Sequence, residues 1–248
     1  MALKVNPPAA LRLPDDILKD PSLRPYFQDV QTILFQLWSK TGAGNGPIMA
    51  NNGGTGFDEY AVGDVLYADT TSTLARLPKP ADKAILTMTA AGMPAWKVPA
   101  YGSFYDTTDQ TAAAINTAYA MTFNSTDLSN GVTIGTPTSR VIVDQAGIYN
   151  FQFSAQLDKS SGGVGLIFIW IRKNGVDVAN SAGQLRIQGN NAELLAAWNW
   201  LIELEADDYV ELMFAVDDTS VQIISEPASG VVPAIPSVIL TVTNNISA

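Results

Sequence analysis

Apolar residues near the N-terminus recur at heptad spacing. Intervals of 4, 3, 4 and 3 positions separate Leu23, Phe27, Val30, Leu34 and Leu37. Such a seam predicts an amphipathic helix that begins between Ser22 and Pro25 and ends at the glycine-rich "GAGNG". Further apolar residues widen the stripe, which favours a bundle of three helices or docking into another protein's groove. Packing against the chain's own core is the alternative.

From about Tyr101 onward the pattern changes to a period of two. In "GIYNFQFSAQLD" the apolar positions Tyr149, Phe151, Phe153, Ala155 and Leu157 alternate with polar ones, which predicts a half-buried strand. Further strands are predicted in "MTFNS", "RVIVD", "GLIFIWIRKNGVDVANS", "ELLAAWNWLIELEADDYVELMFAV", "VQIIS" and "SVILTVTNN". Many short strands separated by polar turns predict a sandwich or jelly roll.

One predicted strand, "GLIFIWI", is apolar on both faces. Leu166, Phe168 and Trp170 occupy one face, and Ile167, Ile169 and Ile171 occupy the other. We expect one face to need a partner outside the domain's own core, and the three isoleucines are the candidate trimer interface. A central strand buried within one chain is an equal alternative.

Residues 51 to 96 are poor in periodic apolar faces and rich in Gly, Thr, Ala and Asp. This segment cannot bury much surface alone, so we expect it to form a core only when several chains pool their apolar residues. Upstream, prolines at 7, 8, 14 and 21 predict an extended arm suited to docking on another protein, with a disordered tail as the alternative.

The composition of the chain excludes several classes of catalytic, metal and binding site. The chain has no cysteine and no histidine, which excludes Ser-His-Asp and Cys-His nucleophiles, Cys or His zinc sites and disulfides. A net charge of −10 argues against nucleic-acid binding. No apolar run approaches the ~20 residues of a membrane span, and no secretory signal is recognisable. We therefore predict synthesis in a cytoplasm, no membrane insertion and no cofactor.

Two aspartate pairs, Asp207–Asp208 and Asp217–Asp218, are the remaining candidates for carboxylate chemistry. Glycosidase acids or calcium ligands must converge in space, whereas adjacent strand residues point to opposite faces. Hairpin turns are therefore the preferred interpretation of both pairs.

The segment "GGTGFDEYAVGDVLYADTTSTLARLPKPADKAILTMTAAGMPAW" resembles a module of bacteriophage tail-fibre proteins. The pattern Y-x-V-G-D-h-L-Y-A-x-T-T-x-x-L-x-x-L, closed by G-x-P-x-W, is met by Tyr60, Val62, Gly63, Asp64, Leu66, Tyr67, Leu74, Leu77 and Trp96, among others. The helical segment is similar to N-terminal regions of phage virion proteins. This resemblance implies a trimeric neck in a virion appendage, present here as one copy.

The C-terminal strands resemble the trimeric jelly rolls of tumour necrosis factor and the complement globular heads. Gly147, Tyr149 and Phe151 match a G-x-Y-x-F strand of that family. Leu204, Asp207 or Asp208, Val210 and Leu212 approximate its L-x-x-G-D-x-V-x-L hairpin, with a doubled aspartate where Gly-Asp is usual. This resemblance too implies a homotrimer.

Together these patterns predict a mainly β protein with three parts: a particle-docking arm and trimerising helix (1–50), an interwoven neck (51–100) and a jelly-roll knob (101–248). The expected protein is a homotrimeric, non-enzymatic phage tail fibre that binds other virion proteins through its N-terminus. Its knob is expected to bind host polysaccharide or protein, with the loops at 158–163 and 226–236 as candidates. The alternatives are a capsid head fibre or decoration protein and, less favoured, a polysaccharide-degrading glycosidase.

Overall fold

A computed structural model describes residues 19–40, 50, 54–81 and 83–246. The chain divides into two compact units, Met1–Val98 and Pro99–Ala248. The second unit begins two residues before the predicted start of the knob at Tyr101. The predicted docking arm lies almost wholly outside the described residues.

The described part of the first unit begins with a helix, α1 (Leu23–Lys40). Asp20 precedes it and accepts hydrogen bonds through Oδ1 from the Ser22 backbone N–H at 2.8 Å and the Ser22 hydroxyl at 2.6 Å. These bonds lower the pKa of the Asp20 carboxyl, the side-chain bond most strongly. Pro25 lies in the first turn, where its missing N–H costs no hydrogen bond, so the predicted helix start is confirmed. The predicted end at "GAGNG" falls outside the described residues.

Two antiparallel hairpins follow in the same unit. They pair β1 (Val65–Ala68) with β2 (Leu74–Leu77) and β3 (Ile85–Met88) with β4 (Pro94–Lys97). Among the described residues from 54 to 98, no apolar residue is buried. The expectation that this segment buries little surface within one chain is therefore confirmed.

The second unit is a β sandwich of two antiparallel sheets. Sheet I contains β7 (Tyr119–Ala120), β9 (Val132–Ile134), β10 (Val141–Val143), β12 (Val164–Lys173), β13 (Val176–Asp177), β14 (Gly183–Gln188) and β16 (Tyr209–Val216). Sheet II contains β5 (Tyr101–Asp106), β6 (Gln110–Thr111), β8 (Ser125–Asn130), β11 (Gly147–Lys159), β15 (Ala192–Leu204), β17 (Val221–Ile223) and β18 (Val238–Ile246).

The main strands are ordered β9–β10–β16–β12–β14 in sheet I and β8–β5–β18–β11–β15 in sheet II. Because the chain crosses repeatedly between the two sheets, this order is consistent with the predicted jelly roll. The unit is mainly β, as predicted.

The core lies between the two sheets and follows the period of two. In β11, Tyr149, Phe151, Phe153, Ala155 and Leu157 are all buried, which confirms the half-buried strand predicted from their alternation. Trp198 packs edge-on against Phe153 and Trp200 stacks on it, at ring-centroid distances of 4.7 and 5.2 Å. These ring contacts join β15 to β11 beyond their backbone ladder.

The pairing register of the strands in sheet II defines two ends of the sandwich. Tyr101 pairs with Thr243, and Gly147 pairs with Leu204, so the chain enters and leaves the second unit at one end. We call this the entry end. At the far end, Lys159 pairs with Ala192. The 13 residues of β11 separate the two ends by roughly 40 Å.

The strand prediction for "MTFNS" is wrong over most of its length. Met121 and Phe123 are buried, but residues 121–124 form no strand, and β8 starts only at Ser125. Their apolar side chains enter the core from an irregular segment that is bonded by single contacts, such as Met121 N–H to the Leu212 carbonyl at 2.8 Å. No helix of the described chain is long and apolar enough to span a membrane.

Candidate functional surfaces

The helix seam is largely uncovered. Leu23, Leu34 and Leu37 of α1 are 41%, 41% and 58% exposed, while Phe27 and Val30 are half-buried. Most of the stability of a protein helix comes from packing of its apolar face. Exposure of the seam therefore leaves an apolar surface available to a partner.

Asp64 organises the hairpin segment that resembles the fibre module. Its carboxylate accepts the backbone N–H of Ala61 at 2.8 Å and that of Lys79 at 3.1 Å, and Arg76 Nε lies 3.6 Å away. The Ala61 hydrogen bond is the largest cause of a lowered pKa for this carboxyl. Gly63 has a φ of +97°, and a Cβ there would come within 3.2 Å of the Lys79 side chain. The Gly-Asp pair is thus a structural unit that ties β1 to the chain beyond β2.

The other module residues surround this unit. The Trp96 indole N–H donates to the Pro78 carbonyl at 2.8 Å, which links the second hairpin to the first. Tyr60 is exposed, and Val62 is 92% exposed. The half-buried remainder comprises Leu66, Tyr67, Leu74, Leu77 and Trp96.

The isoleucines predicted as a knob trimer interface do not form a surface. Ile167, Ile169 and Ile171 are at most 1% exposed because they face sheet II across the core of their own chain. The prediction is wrong, and the alternative of a strand buried within one chain is correct for this face. Leu166, Phe168 and Trp170 lie on the outer face of β12 instead and are half-buried.

The outer face of sheet II carries three adjacent rows without a charged residue. Cross-strand register gives these rows as Asn130–Tyr101–Thr243–Asn150–Leu201, Leu128–Ser103–Thr241–Gln152–Asn199 and Ser125–Tyr105–Ile239–Ser154–Ala197. Tyr101, Leu128, Ile239 and Leu201 are all exposed. We call these three rows the uncharged face; charge depletion with exposed aromatic and aliphatic groups is typical of the centre of a protein interface.

The outer face of sheet I is different because it carries ion pairs. Arg172 Nε lies 2.8 Å from Asp177 Oδ1, and Arg140 Nε lies 4.0 Å from Glu211 Oε1. The Arg172 hydrogen bond is the largest cause of a lowered pKa for Asp177. The two outer faces of the sandwich are therefore electrostatically distinct.

The first loop predicted to contact the host follows β11 at the far end, and the second leaves sheet II between β17 and β18, beside Gln156. The 158–163 segment begins inside β11, so only residues 160–163 form the connection to β12. The 226–236 segment is an ordered hairpin, with backbone bonds from Glu226 to Ile235 and from Ser229 to Val232, and Val231 at its tip is fully exposed.

The two aspartate pairs have structural partners. Asp207 adopts a φ of +69° in the turn before β16, and Asp208 lies 2.8 Å from Lys173 Nζ. After β16, Asp217 accepts the Leu166 N–H at 2.6 Å and Asp218 lies 2.7 Å from Lys159 Nζ. The eight residues of β16 separate the pairs by roughly 25 Å, well beyond the spacing of glycosidase carboxylates.

Sequence reasoning missed strand β14 and the groups that it carries, Gln184, Arg186 and Gln188. All three are exposed. The segment "GQLRIQ" alternates over only six residues, and its apolar positions, Leu185 and Ile187, are too few to separate it from a turn. No group of three or more acidic side chains suited to a metal ion occurs among the described residues.

No family model matches the chain, and no curated protein sequence is similar to it. Among solved structures, the chain is similar to murine APRIL, crystallised at pH 8.5, with 9% identity and a TM-score of 0.38 over 59% of this chain and 99% of that chain. The fold assignment above rests on this chain's own strand order and register.

Proposed function

We propose that this protein is a structural and adhesive component of a bacteriophage particle. It is a homotrimeric tail fibre or appendage, docked on other virion proteins by its N-terminal part, that presents the β sandwich to the host surface. The protein assembles in the host cytoplasm and resides in the virion. It binds rather than catalyses.

The contrast between the two units carries this proposal. The sandwich has a complete core of its own, whereas no apolar residue is buried among the described residues of the first unit. A segment of that kind gains its stability from surfaces outside its own chain. Copies of itself and a particle protein supply such surfaces in an appendage.

The uncharged face supports association of three copies. Each copy carries a net charge of −10, so acidic surfaces of identical chains repel one another. Contact through the uncharged face avoids this repulsion and covers exposed side chains such as Tyr101 and Leu201. In the proposed trimer this face replaces the isoleucine face as the contact between knobs.

The direction of the sandwich supports a role in presentation. Its entry end joins the preceding unit through the chain. The far end carries the residue 160–163 connection, and the 226–236 hairpin leaves the sheet near that end, beside Gln156. A far end roughly 40 Å away from the connection to the first unit is suited to contact another surface.

Cryo-electron microscopy of the intact phage particle tests the proposal. We expect three sandwich densities around one axis at the tail, with the N-terminal part held by a neighbouring virion protein. Density on the capsid would move the same trimer to a head fibre or decoration role and contradict the tail assignment. Absence of the chain from purified particles would overturn the proposal as a whole.

A further inference from the structure

The margin of sheet I presents a row of planar polar side chains. β14 pairs with β12, with Gln184 opposite Phe168, Arg186 opposite Leu166 and Gln188 opposite Val164. Because Ile187 is buried in the core, the alternating positions 184, 186 and 188 point outward. The row spans four residue intervals, or about 13 Å.

An apolar row lies directly beside it on β12. Val164, Leu166, Phe168 and Trp170 share the outer face of that strand. The Trp170 indole N–H donates to Asp177 Oδ1 at 2.9 Å, and Arg172 Nε donates to the same oxygen at 2.8 Å. These two bonds hold the polar edge of the indole.

Arg186 differs from the other basic side chains of the sandwich in having no ion-pair partner among the described residues. Between residues 99 and 246 the chain has five basic side chains, and four of them lie in ion pairs: Arg140, Lys159, Arg172 and Lys173. Arg186, the fifth, is exposed and makes no ion pair with the described residues. An exposed guanidinium without an ion pair, in a strongly acidic chain, is a local binding point for a single anionic group of a ligand.

We propose that the surface formed by Gln184, Arg186, Gln188, Leu166 and Phe168, here named the β12–β14 platform, binds an acidic polysaccharide of the host surface. The apolar C–H face of a sugar ring packs on the β12 row, while the amides of the glutamines bond its hydroxyl groups. The Arg186 guanidinium accommodates a carboxylate or phosphate on the sugar in a bidentate hydrogen-bonded pair. Carboxylated and phosphorylated polysaccharides would both bind the guanidinium in this way.

This inference rests on the proposed function and makes it more specific. Host polysaccharide and host protein were both expected as partners of the knob. The platform favours polysaccharide because planar donors beside an apolar strip suit a flat, hydroxyl-rich ligand. The platform also lies on the opposite sheet from the uncharged face, so trimer contacts through that face leave it accessible.

Binding of the full-length protein to an array of purified bacterial surface polysaccharides tests this inference. The array contains neutral, carboxylated and phosphorylated members. We expect binding to at least one anionic member, weakening as salt concentration rises, and about tenfold or more weaker binding by Arg186→Gln. Arg186→Lys keeps the positive charge but loses the planar pair of N–H donors, so it should restore only part of the affinity.

Lys83→Gln is the matched control because it removes one exposed positive charge from the first unit. It should bind like the unmodified protein. Unfolding transitions of the three variants should coincide with that of the unmodified protein, since all the substituted side chains are exposed. Binding of neutral members only, no binding at all, or equal binding by Arg186→Gln would each overturn the platform proposal.

Competition with intact phage for host cells separates this inference from the proposed function. If the unmodified protein and Arg186→Gln block adsorption equally, the platform is wrong but the adhesive function stands. If the unmodified protein is absent from the particle and blocks nothing, the function itself fails. Selective loss of blocking in Arg186→Gln supports both.

Discussion

Lys159 Nζ lies 2.7 Å from Asp218 Oδ2, although the lysine side chain is completely buried and that of the aspartate is 35% exposed. The ammonium group also donates to the Ser220 hydroxyl at 2.6 Å. Lys159 ends β11 at the far end of the sandwich, and Asp218 lies in the turn between β16 and β17. The pair thus ties a far-end turn to β11, one of the two longest strands of the sandwich.

Removing the carboxylate should destabilise the sandwich strongly. Asp218→Ala leaves the buried ammonium without its counter-ion, which we expect to lower the free energy of unfolding by about 3 kcal/mol. Lys159→Met fills the same space without a charge and should stay within about 1 kcal/mol of the original stability. Urea unfolding of the two variants measures both values.

The double variant Lys159→Met/Asp218→Ala is the control for this pair. It should recover most of the stability lost in Asp218→Ala, because no buried charge remains. A double variant as unstable as Asp218→Ala would show that the turn hydrogen bonds of Asp218, rather than the ion pair, account for the loss.

The same pair predicts a pH dependence. The Lys159 hydrogen bond is the largest cause that lowers the pKa of Asp218 from 3.8 to about 2. Because the folded-state pKa is depressed, the stabilisation is complete above about pH 4 and is lost as the pH falls toward 2. Urea unfolding between pH 5.5 and 2.5 should show the unmodified protein and Asp218→Ala converging in stability at the acid end. A constant difference across this range would contradict the assignment.

A strand can be predicted from sequence when one of its faces is apolar and the other is polar. β11 was recognisable because every second residue from Tyr149 to Leu157 is apolar and the residues between are mostly polar. β8, with the sequence "STDLSN", lacks that contrast, and β14 alternates over only six residues. Their pairing comes from neighbouring strands, which local sequence does not encode.

The surfaces were harder to predict than the strands. In β12 both faces are apolar, so periodicity could not tell which face Ile167 occupies, and the core face was wrongly assigned to the surface. The uncharged face and the β12–β14 platform depend on register between strands distant in sequence, such as Thr241 opposite Gln152. The seam of α1 needed no register, because heptad spacing within one helix defines it.

Asp207 offers a test of backbone strain in a turn. Its φ of +69° lies in the left-handed region, which glycine adopts without a steric penalty. Asp207→Gly should raise the free energy of unfolding by about 0.5 to 1 kcal/mol, whereas Asp207→Val should lower it because a β-branched residue resists positive φ. Thermal unfolding distinguishes the two. Asp207→Asn, which removes the charge but tolerates the conformation, should resemble the original; a rise equal to that of glycine would assign the effect to charge instead.

Charged substitutions in the exposed helix seam should impair assembly and leave the sandwich folded. Leu34→Asp and Leu37→Asp together place two charges in the apolar stripe of α1, which should prevent its burial against partner helices or a particle protein. Light scattering should show a lower mass, and purified particles should lack the variant. Thr32→Asp, on a polar position of the same helix, is the matched control. Unchanged mass and incorporation of the double variant would exclude the helix from assembly.

The uncharged face predicts that one charge there is enough to weaken association of the sandwiches. Thr241 is exposed at the centre of the middle row, between Ser103 and Gln152. Thr241→Lys would bury a charge without a partner at the contact between copies, whereas Thr133→Lys, on the exposed outer side of sheet I, would leave its charge in water. Analytical ultracentrifugation over a dilution series should therefore show dissociation of Thr241→Lys at higher concentrations than for the unmodified protein or Thr133→Lys. Neither side chain enters the core, so the unfolding transitions of both variants should match that of the unmodified protein. A change in dissociation can then be assigned to assembly and not to folding. Equal dissociation of Thr241→Lys and the unmodified protein would show that copies meet elsewhere on the chain.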